Sequence, residues 1–459
     1  MGKNTNSNKL SFKEKFCWGL GTGGNNMYTT LVGTYLTGYY TDTAGIAVAA
    51  VGTMMLLSRF FDGVSDVVMG AIVDKTNTRW GKARPWVFIS GPLFALLMFL
   101  TLAVPQSMQE NLKLVYAYIT YILLCCFINT IYFVAHNALL ARMTLDPDER
   151  IKATSMSQIV SSVTTLIATI IVNGLITTLG WAAGGLILGL IICVINFIEF
   201  FGTKERVGDI ETEETEKEAK RETVPLKKSI PALLKNKYFY ILTIAMILIY
   251  IANQGAQTAT YYYVTVVLGD LNWITYMMFC ASVAMFIINL VNPKLVAKFS
   301  KRTIAIIGAL VNGLGFLVIA LFGNGVVSLV ISSLLRGAGV GIMFPCILAF
   351  TADVVDYGEW KQGIRSEGLI NSCASMGNKI GVGLGSAIVA WILAFGGYDG
   401  TAATQSASAL GAINFSFIWM SVILTVVMVI MFALLDVEKH KKEMLAELET
   451  RHGYAEKEA

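Results

Sequence analysis

Charge is scarce in this chain: of 459 residues only 14% are Asp, Glu, Lys or Arg, whereas 55% are hydrophobic. With a mean hydropathy of +0.62, the composition is too apolar for a soluble globular protein and describes an all-α polytopic membrane protein. Histidine is almost missing as well. The three that occur are His136, His440 and His452, and neither HExxH nor GxSxG appears, so an intramembrane enzyme has little to work with. No enzymatic activity and no cofactor are expected. The seven cysteines (Cys17, Cys125, Cys126, Cys193, Cys280, Cys346, Cys373) form no CxxC pair and lie in or beside apolar segments, which reads as packing rather than metal binding. The net charge of +4 concentrates no patch for nucleic acid.

What is present is apolar length. Counting about 20 apolar residues per span, twelve transmembrane helices are expected, roughly Phe16 to Tyr40, Ala44 to Val73, Pro85 to Val104, Leu114 to Leu140, Ala153 to Leu179, Ala182 to Phe201, Tyr238 to Leu268, Trp273 to Val291, Thr303 to Phe322, Val326 to Ala352, Gly368 to Phe395 and Leu410 to Leu435. This predicts a six-helix bundle over 1–202, a charged linker over 203–237 containing the run Glu211–Glu222, a second six-helix bundle over 238–438, and a tail over 439–459. The N-terminus is polar and basic and runs directly into the first span, which is therefore expected to be retained. Of the 35 Lys and Arg residues, 31 fall in the N-terminus, the loops after even-numbered spans, or the tail. Both termini are thus expected on the cytoplasmic side of the cell (inner) membrane. The opposite loops are short, as in Gly323-Asn-Gly325, and leave no room for a receptor module.

Charge reappears where it is most costly. In Arg59-Phe-Phe-Asp62-Gly-Val-Ser-Asp66, the three charged residues sit at i, i+3 and i+7 of the second span and share one helix face. Each costs roughly 2.5–3.5 kcal/mol at a helix centre, and two acids against one arginine invite a bound cation or proton. Lys379 in span 11 and Arg336 in span 10 are further intramembrane cations. After span 2 the chain reads Gly70-xxx-Asp74-Lys-Thr-Asn-Thr-Arg79-Trp-Gly-Lys-x-Arg84-Pro, a loop able to latch neighbouring helix ends by charge-assisted bonds.

These residues carry a resemblance. The Gly-xxx-Asp loop looks like the signature of the major facilitator superfamily, and the longer pattern from Arg59 to Trp86 resembles the glycoside-pentoside-hexuronide:cation symporters, the family of the melibiose permease and the glucuronide transporter. Tyr39-Tyr-Thr-Asp42, Thr144-Leu-Asp-Pro-Asp-Glu-Arg150, Thr203-Lys-Glu-Arg206, and Asp353-xx-Asp356-Tyr-Gly-Glu359-Trp-Lys-x-Gly-x-Arg365 extend it along nearly the whole chain.

The resemblance implies a major facilitator fold and a cation-coupling site at Asp62 and Asp66, with Arg59 as neighbour, Ser65 and Thr130 as further oxygen ligands, and Lys379 as a competitor for the acids. Sodium and a proton both suit such a site. It further implies that Asp74, Arg79, Arg84, Asp353, Asp356, Glu359 and Arg365 act in gating. At the charged sugar-binding positions of the melibiose permease the resemblance places Asn26, Phe133 and Gln158 in this chain, which favours a neutral glycoside or pentoside. Mid-span amides and hydroxyls suited to sugar hydroxyls are Asn129, Asn137, Asn253, Gln254, Gln257, Asn371 and Ser375. Asn253 and Gln257 share a face. Tyr28, Tyr35, Tyr132 and Trp391 are aromatic candidates for stacking on a sugar ring, and His136 is either a hydrogen-bonding core residue or a protonation site.

The expectation is a secondary active symporter working by alternating access, in the lipid bilayer, functional as a monomer, with a small-molecule sugar as partner and sodium or a proton as coupling ion. The alternatives are a non-sugar cargo such as a lysolipid, against which the mid-span amides argue, and a membrane sugar sensor that moves nothing.

Overall fold

The computed structural model describes residues 9–207, 231, 233–364, 367–441, 443–444, 446–448 and 450. Among them there is no β-strand, only a lone bridge between Thr78 and Gly81. The helices in order are α1 (Phe12–Thr30), prolonged by π-helical turns at Leu31–Tyr35 and Tyr39–Thr43, then α2 (Val48–Lys75), α3 (Arg84–Thr101), α4 (Glu110–Met143), α5 (Pro147–Leu179) and α6 (Trp181–Gly202). They continue as α7 (Lys237–Leu268), α8 (Asn272–Lys298), α9 (Lys301–Phe322), α10 (Val326–Gln362), α11 (Glu367–Phe395) and α12 (Ala407–Asn414, a π-helical turn at Phe415–Trp419, then Met420–Leu434). Ten of these are long and apolar enough to cross a membrane. The exceptions among the described helices are α1 and α2. The charged run Glu211–Glu222 and most of the expected linker lie outside the described residues.

Local chemistry sets the helix ends. Ser11 and Glu14 form a reciprocal capping box at the start of α1, and Asp146 caps α5 with Pro147 in the first turn, so that orphan N–H groups find partners. α10 stops at Gly363, whose φ of +66° lies in the left-handed region, where glycine adds no Cβ clash.

Two compact units emerge. The first gathers Met1–Glu214, Gln257–Phe279 and Ser386–Ser416, and the second gathers Thr215–Ala256, Cys280–Gly385 and Phe417–Ala459. In the first, small residues let helices approach closely without a hydrophobic drive from water. Gly19 of α1 meets the backbone of Ser157 on α5, and Gly189 of α6 meets Ala95 on α3. At the end of this unit remote from the α2–α3 loop, the Tyr398 hydroxyl donates to Asp42 at 2.8 Å. Nearby, Thr41 and Tyr262 hydroxyls lie 3.1 Å apart. Asp399, in the same loop as Tyr398, has its carboxyl held below the usual carboxylate range by the Thr401 hydroxyl and backbone N–H.

The second unit packs around Tyr238, Leu242, Phe350, Val354 and Phe432. Arg336 sits with its guanidinium 4.3 Å from the Phe316 ring centroid and 5.1 Å from that of Phe417, a cation–π arrangement suited to a low-dielectric surrounding.

At the α2–α3 loop, Glu205 receives backbone N–H groups from Lys82 at 3.0 Å and from Ala83 and Arg84 at 2.9 Å. A carboxylate at a helix N-terminus satisfies orphan donors and complements the macrodipole. Gly81, with φ of +109°, has the Glu205 carboxylate where a side chain would stand. In the second unit Glu438 does the same for α9, accepting from the N–H groups of Lys301 at 3.0 Å and Arg302 at 3.4 Å. Replacing Glu205 with Ala is expected to destabilise the protein by about 1–2 kcal/mol. It would be read as a lowered Tm in detergent, whereas Lys204→Ala, at an exposed neighbour, should stay within about 0.5 kcal/mol.

Candidate ion and substrate sites

Helix α2 separates its faces sharply. Phe60, Phe61, Val64, Val67 and Val68 point outward, whereas Asp62 is only 7% exposed. Asp62 and Asp66, four residues apart, project on the same side and reach one hydroxyl on α4. Thr130 Oγ1 lies 3.2 Å from Asp62 Oδ1 and 3.1 Å from Asp66 Oδ1. Ser65 Oγ is 3.2 Å from the same Thr130 oxygen and donates to the main-chain oxygen of Asp62 at 3.0 Å. On the other side of Asp62, Arg59 Nη1 stands 3.7 Å from Oδ2.

The chemistry follows from counting protons and charges. The Thr130 hydroxyl has one hydrogen and two carboxylate oxygens within reach, so it satisfies one of them fully at any moment. Carboxylate and hydroxyl oxygens gathered from two helices form the kind of donor set that suits a hard cation or a proton. The structure thus brings together Asp62, Asp66, Ser65, Thr130 and Arg59. Lys379 lies on α11 within the second unit and is half-buried.

On the substrate side, Asn26 of α1 bonds to α5. Its amide nitrogen lies 2.6 Å from Ser161 Oγ, 3.0 Å from Thr165 Oγ1 and 3.2 Å from the Ser161 carbonyl. With only two N–H bonds for three acceptors, this nitrogen is committed to holding α1 on α5. Gln158 and Asn137 are exposed, and Asn137 turns back to donate to the Phe133 carbonyl at 2.9 Å. Tyr28 is buried, edge-on to Phe94 with ring centroids 5.5 Å apart, which assigns its ring to helix packing. Asn253 and Gln257 are half-buried on one face of α7, and Ser375 is exposed on α11. The side chain of Asn371 lies outside the described residues.

Of the residues expected in gating, Asp74 Oδ1 is 3.8 Å from the Arg142 guanidinium. Arg79 lies over the Trp80 ring, 5.2 Å from its centroid, and Arg84 donates to the Phe200 carbonyl at 2.7 Å. Asp353 pairs with Lys301, with Lys441 at 3.7 Å. Asp356 and Glu359 are half-buried on α10. Arg365 lies outside the described residues.

Glu199 is the residue that sequence reasoning passed over. It is the single charged group in α6 and is wholly buried, with Oε1 2.6 Å from His136 Nδ1. A lone acid inside an apolar span was the available signal.

Long apolar helices with buried, partnered charges describe a polytopic membrane protein. Residues 17–439 match the family described as MFS/sugar transport protein, and the chain belongs to it. The isoprimeverose transporter of Lactiplantibacillus pentosus is 31% identical over 97% of this chain and 93% of its own. The inner membrane symporter YicJ of Escherichia coli K12 is 29% identical over 89% of this chain and 88% of its own. Among solved structures, the nucleoside transporter NupG superposes with a TM-score of 0.64 at 16% identity, covering 92% of this chain and 98% of that one. At that identity the likeness concerns the fold.

Thr130→Val keeps the shape of the side chain and removes the hydroxyl shared by the two acids. Its expected effect is a weakening of cation stimulation of transport by about tenfold or more, since a buried polar contact is worth roughly 1–3 kcal/mol. Cation titration of transport at fixed substrate checks it, and an unchanged half-saturating concentration would count against a shared site.

Proposed function

We propose that this protein is a secondary active symporter that couples uptake of a neutral sugar or glycoside to a small cation, sodium or a proton, by alternating access. The observation that carries the reading is the oxygen cluster around Thr130, in which Asp62 Oδ1 and Asp66 Oδ1 both lie within 3.2 Å of one hydroxyl. With Ser65 Oγ 3.2 Å from the same hydroxyl, the cluster offers the oxygen donors that a small hard cation or a proton needs. The symporter named among the relatives supports coupling, and the isoprimeverose transporter supports a glycosidic substrate without a required charge. Asn26, Phe133 and Gln158, where the melibiose permease has charged groups, support the neutral substrate. In this reading the chain crosses the cell membrane twelve times with both termini cytoplasmic, acts as a monomer, and uses Asp74, Arg79, Arg84, Asp353, Asp356, Glu359 and Arg365 at its cytoplasmic loops.

Coupling is a linkage: if the cation raises substrate affinity, substrate raises cation affinity by the same factor. The deciding experiment is uptake of radiolabelled methyl glycosides (xyloside, glucoside, galactoside) into proteoliposomes under imposed sodium or proton gradients. One gradient should drive accumulation of at least one glycoside, and Asp62→Asn should abolish accumulation while leaving exchange of the same glycoside measurable. Accumulation that persists in Asp62→Asn, or uptake indifferent to both gradients, overturns the reading.

A further inference from the structure

A second buried ionic couple lies in the first unit, away from the oxygen cluster. His136 follows Thr130 by six residues on α4, about 240° around the helix at 3.6 residues per turn, and so addresses a different face. Glu199 Oε1 is 2.6 Å from His136 Nδ1, and Oε2 accepts from the Tyr132 hydroxyl at 2.9 Å. Trp18 lies flat on the imidazole, with centroids 4.8 Å apart and planes 1° from parallel. Its indole N–H donates to the His136 carbonyl at 3.1 Å, so ring and indole hold one another in place. Gly21 of α1 leaves the space that the Glu199 carboxylate and Tyr132 hydroxyl fill.

The far ring nitrogen completes a chain. His136 Nε2 is 3.0 Å from Thr22 Oγ1, which is 2.8 Å from Ser157 Oγ on α5. With Glu199 as carboxylate, an acceptor that does not donate, Nδ1 carries a hydrogen toward it. Two states then remain at Nε2. With the ring neutral, the Thr22 hydroxyl donates to Nε2 and its oxygen accepts from Ser157. With the ring protonated, Nε2–H donates to Thr22, whose own hydrogen is released and free to turn toward Ser157. One proton taken from water therefore opens the reversed direction of the Thr22–Ser157 bond with both heavy-atom distances unchanged. That rung stands one helical turn from the next, since Asn26 is four residues beyond Thr22 and Ser161 four beyond Ser157.

We infer that His136 Nε2 is a proton-binding site, held in place by Glu199 and Trp18, that sets the polarity of the α1–α5 hydrogen bonds beside Asn26 and links sugar binding to pH separately from Asp62 and Asp66. The titratable and charged groups facing the couple are Tyr132 on α4 and Cys17 on α1, with Glu14 and Lys13 beyond Cys17. From α5 and α3 it meets Ser157 and, next to Tyr132, Phe94, neither of which carries charge. The inference rests on the transport reading above, and the tests separate the two.

The first test needs no substrate. Only three histidines occur in the chain, so imidazole ¹⁵N NMR in nanodiscs, assigned with His136→Gln, should show Nδ1 protonated throughout and Nε2 passing from acceptor to N–H between about pH 8.5 and about pH 5.5. An Nε2 signal that does not move overturns the site. The second test is exchange of the methyl glycoside selected by uptake, with equal pH and equal cation on both sides. Half-saturation in the wild type should change about fivefold or more over that range, and His136→Gln and Glu199→Gln should flatten the profile. Ser157→Ala keeps both titrating groups and should compress the profile, and Tyr132→Phe should shift its midpoint, so these two decide the matter if the Gln variants do not fold. A flat wild-type profile, or variants that leave it unchanged, overturn the linkage; absence of wild-type exchange at every pH would instead sink the transport reading.

Discussion

A carboxylate removed from water into a helix bundle costs several kcal/mol unless something positive or hydrogen-donating meets it, and the first unit is arranged around two places where that cost is met differently. At Asp62 and Asp66 a shared hydroxyl from Thr130 joins two acids. At Glu199 one acid is met by imidazole and phenol. The first arrangement gathers oxygens from two helices around one hydroxyl; the second ties an acid to a ring nitrogen. Both draw on α4, so the helix that supplies the shared hydroxyl also supplies the imidazole.

Close helix approach is the second condition. The Glu199 carboxylate can sit against α1 because residue 21 has no side chain, and α1 lies on α5 through Gly19 and Gly23. Hydroxyl and amide contacts at Thr22, Ser157, Asn26 and Ser161 then form across that seam. Glycines that look like mere spacing in the sequence are thus what permits a polar row inside an apolar bundle.

The helical class of the fold was legible because apolar length and charge scarcity are additive along the chain. Helical spacing places Asp62 and Asp66 together, and the structure sets Ser65 and Thr130 beside them. Elsewhere the sequence was silent for physical reasons. Glu199 was absorbed into the hydropathy of its span, and its pairing with His136 depends on how α4 and α6 pack, 63 residues apart. Tyr28 reads as an aromatic suited to a sugar, but an aromatic at helical spacing serves packing equally well, and Phe94 claims it. The π-helical turns in α1 leave no periodicity signal.

The acids that close the first turns of α3 and α9 occupy matching places: Glu205 follows the sixth helix and caps the third, and Glu438 follows the twelfth and caps the ninth. Each cap therefore becomes available only when its own set of six helices has been synthesised. The first set can secure its α2–α3 corner as soon as Glu205 emerges, with no residue of the later half required. In the second set the corresponding corner must wait for almost the last described stretch of chain. Truncation before Glu438 would take its carboxylate from the Lys301 and Arg302 N–H groups, leaving Ser300 as the cap of α9, while sparing the earlier corner, so the order of synthesis sets the two corners apart.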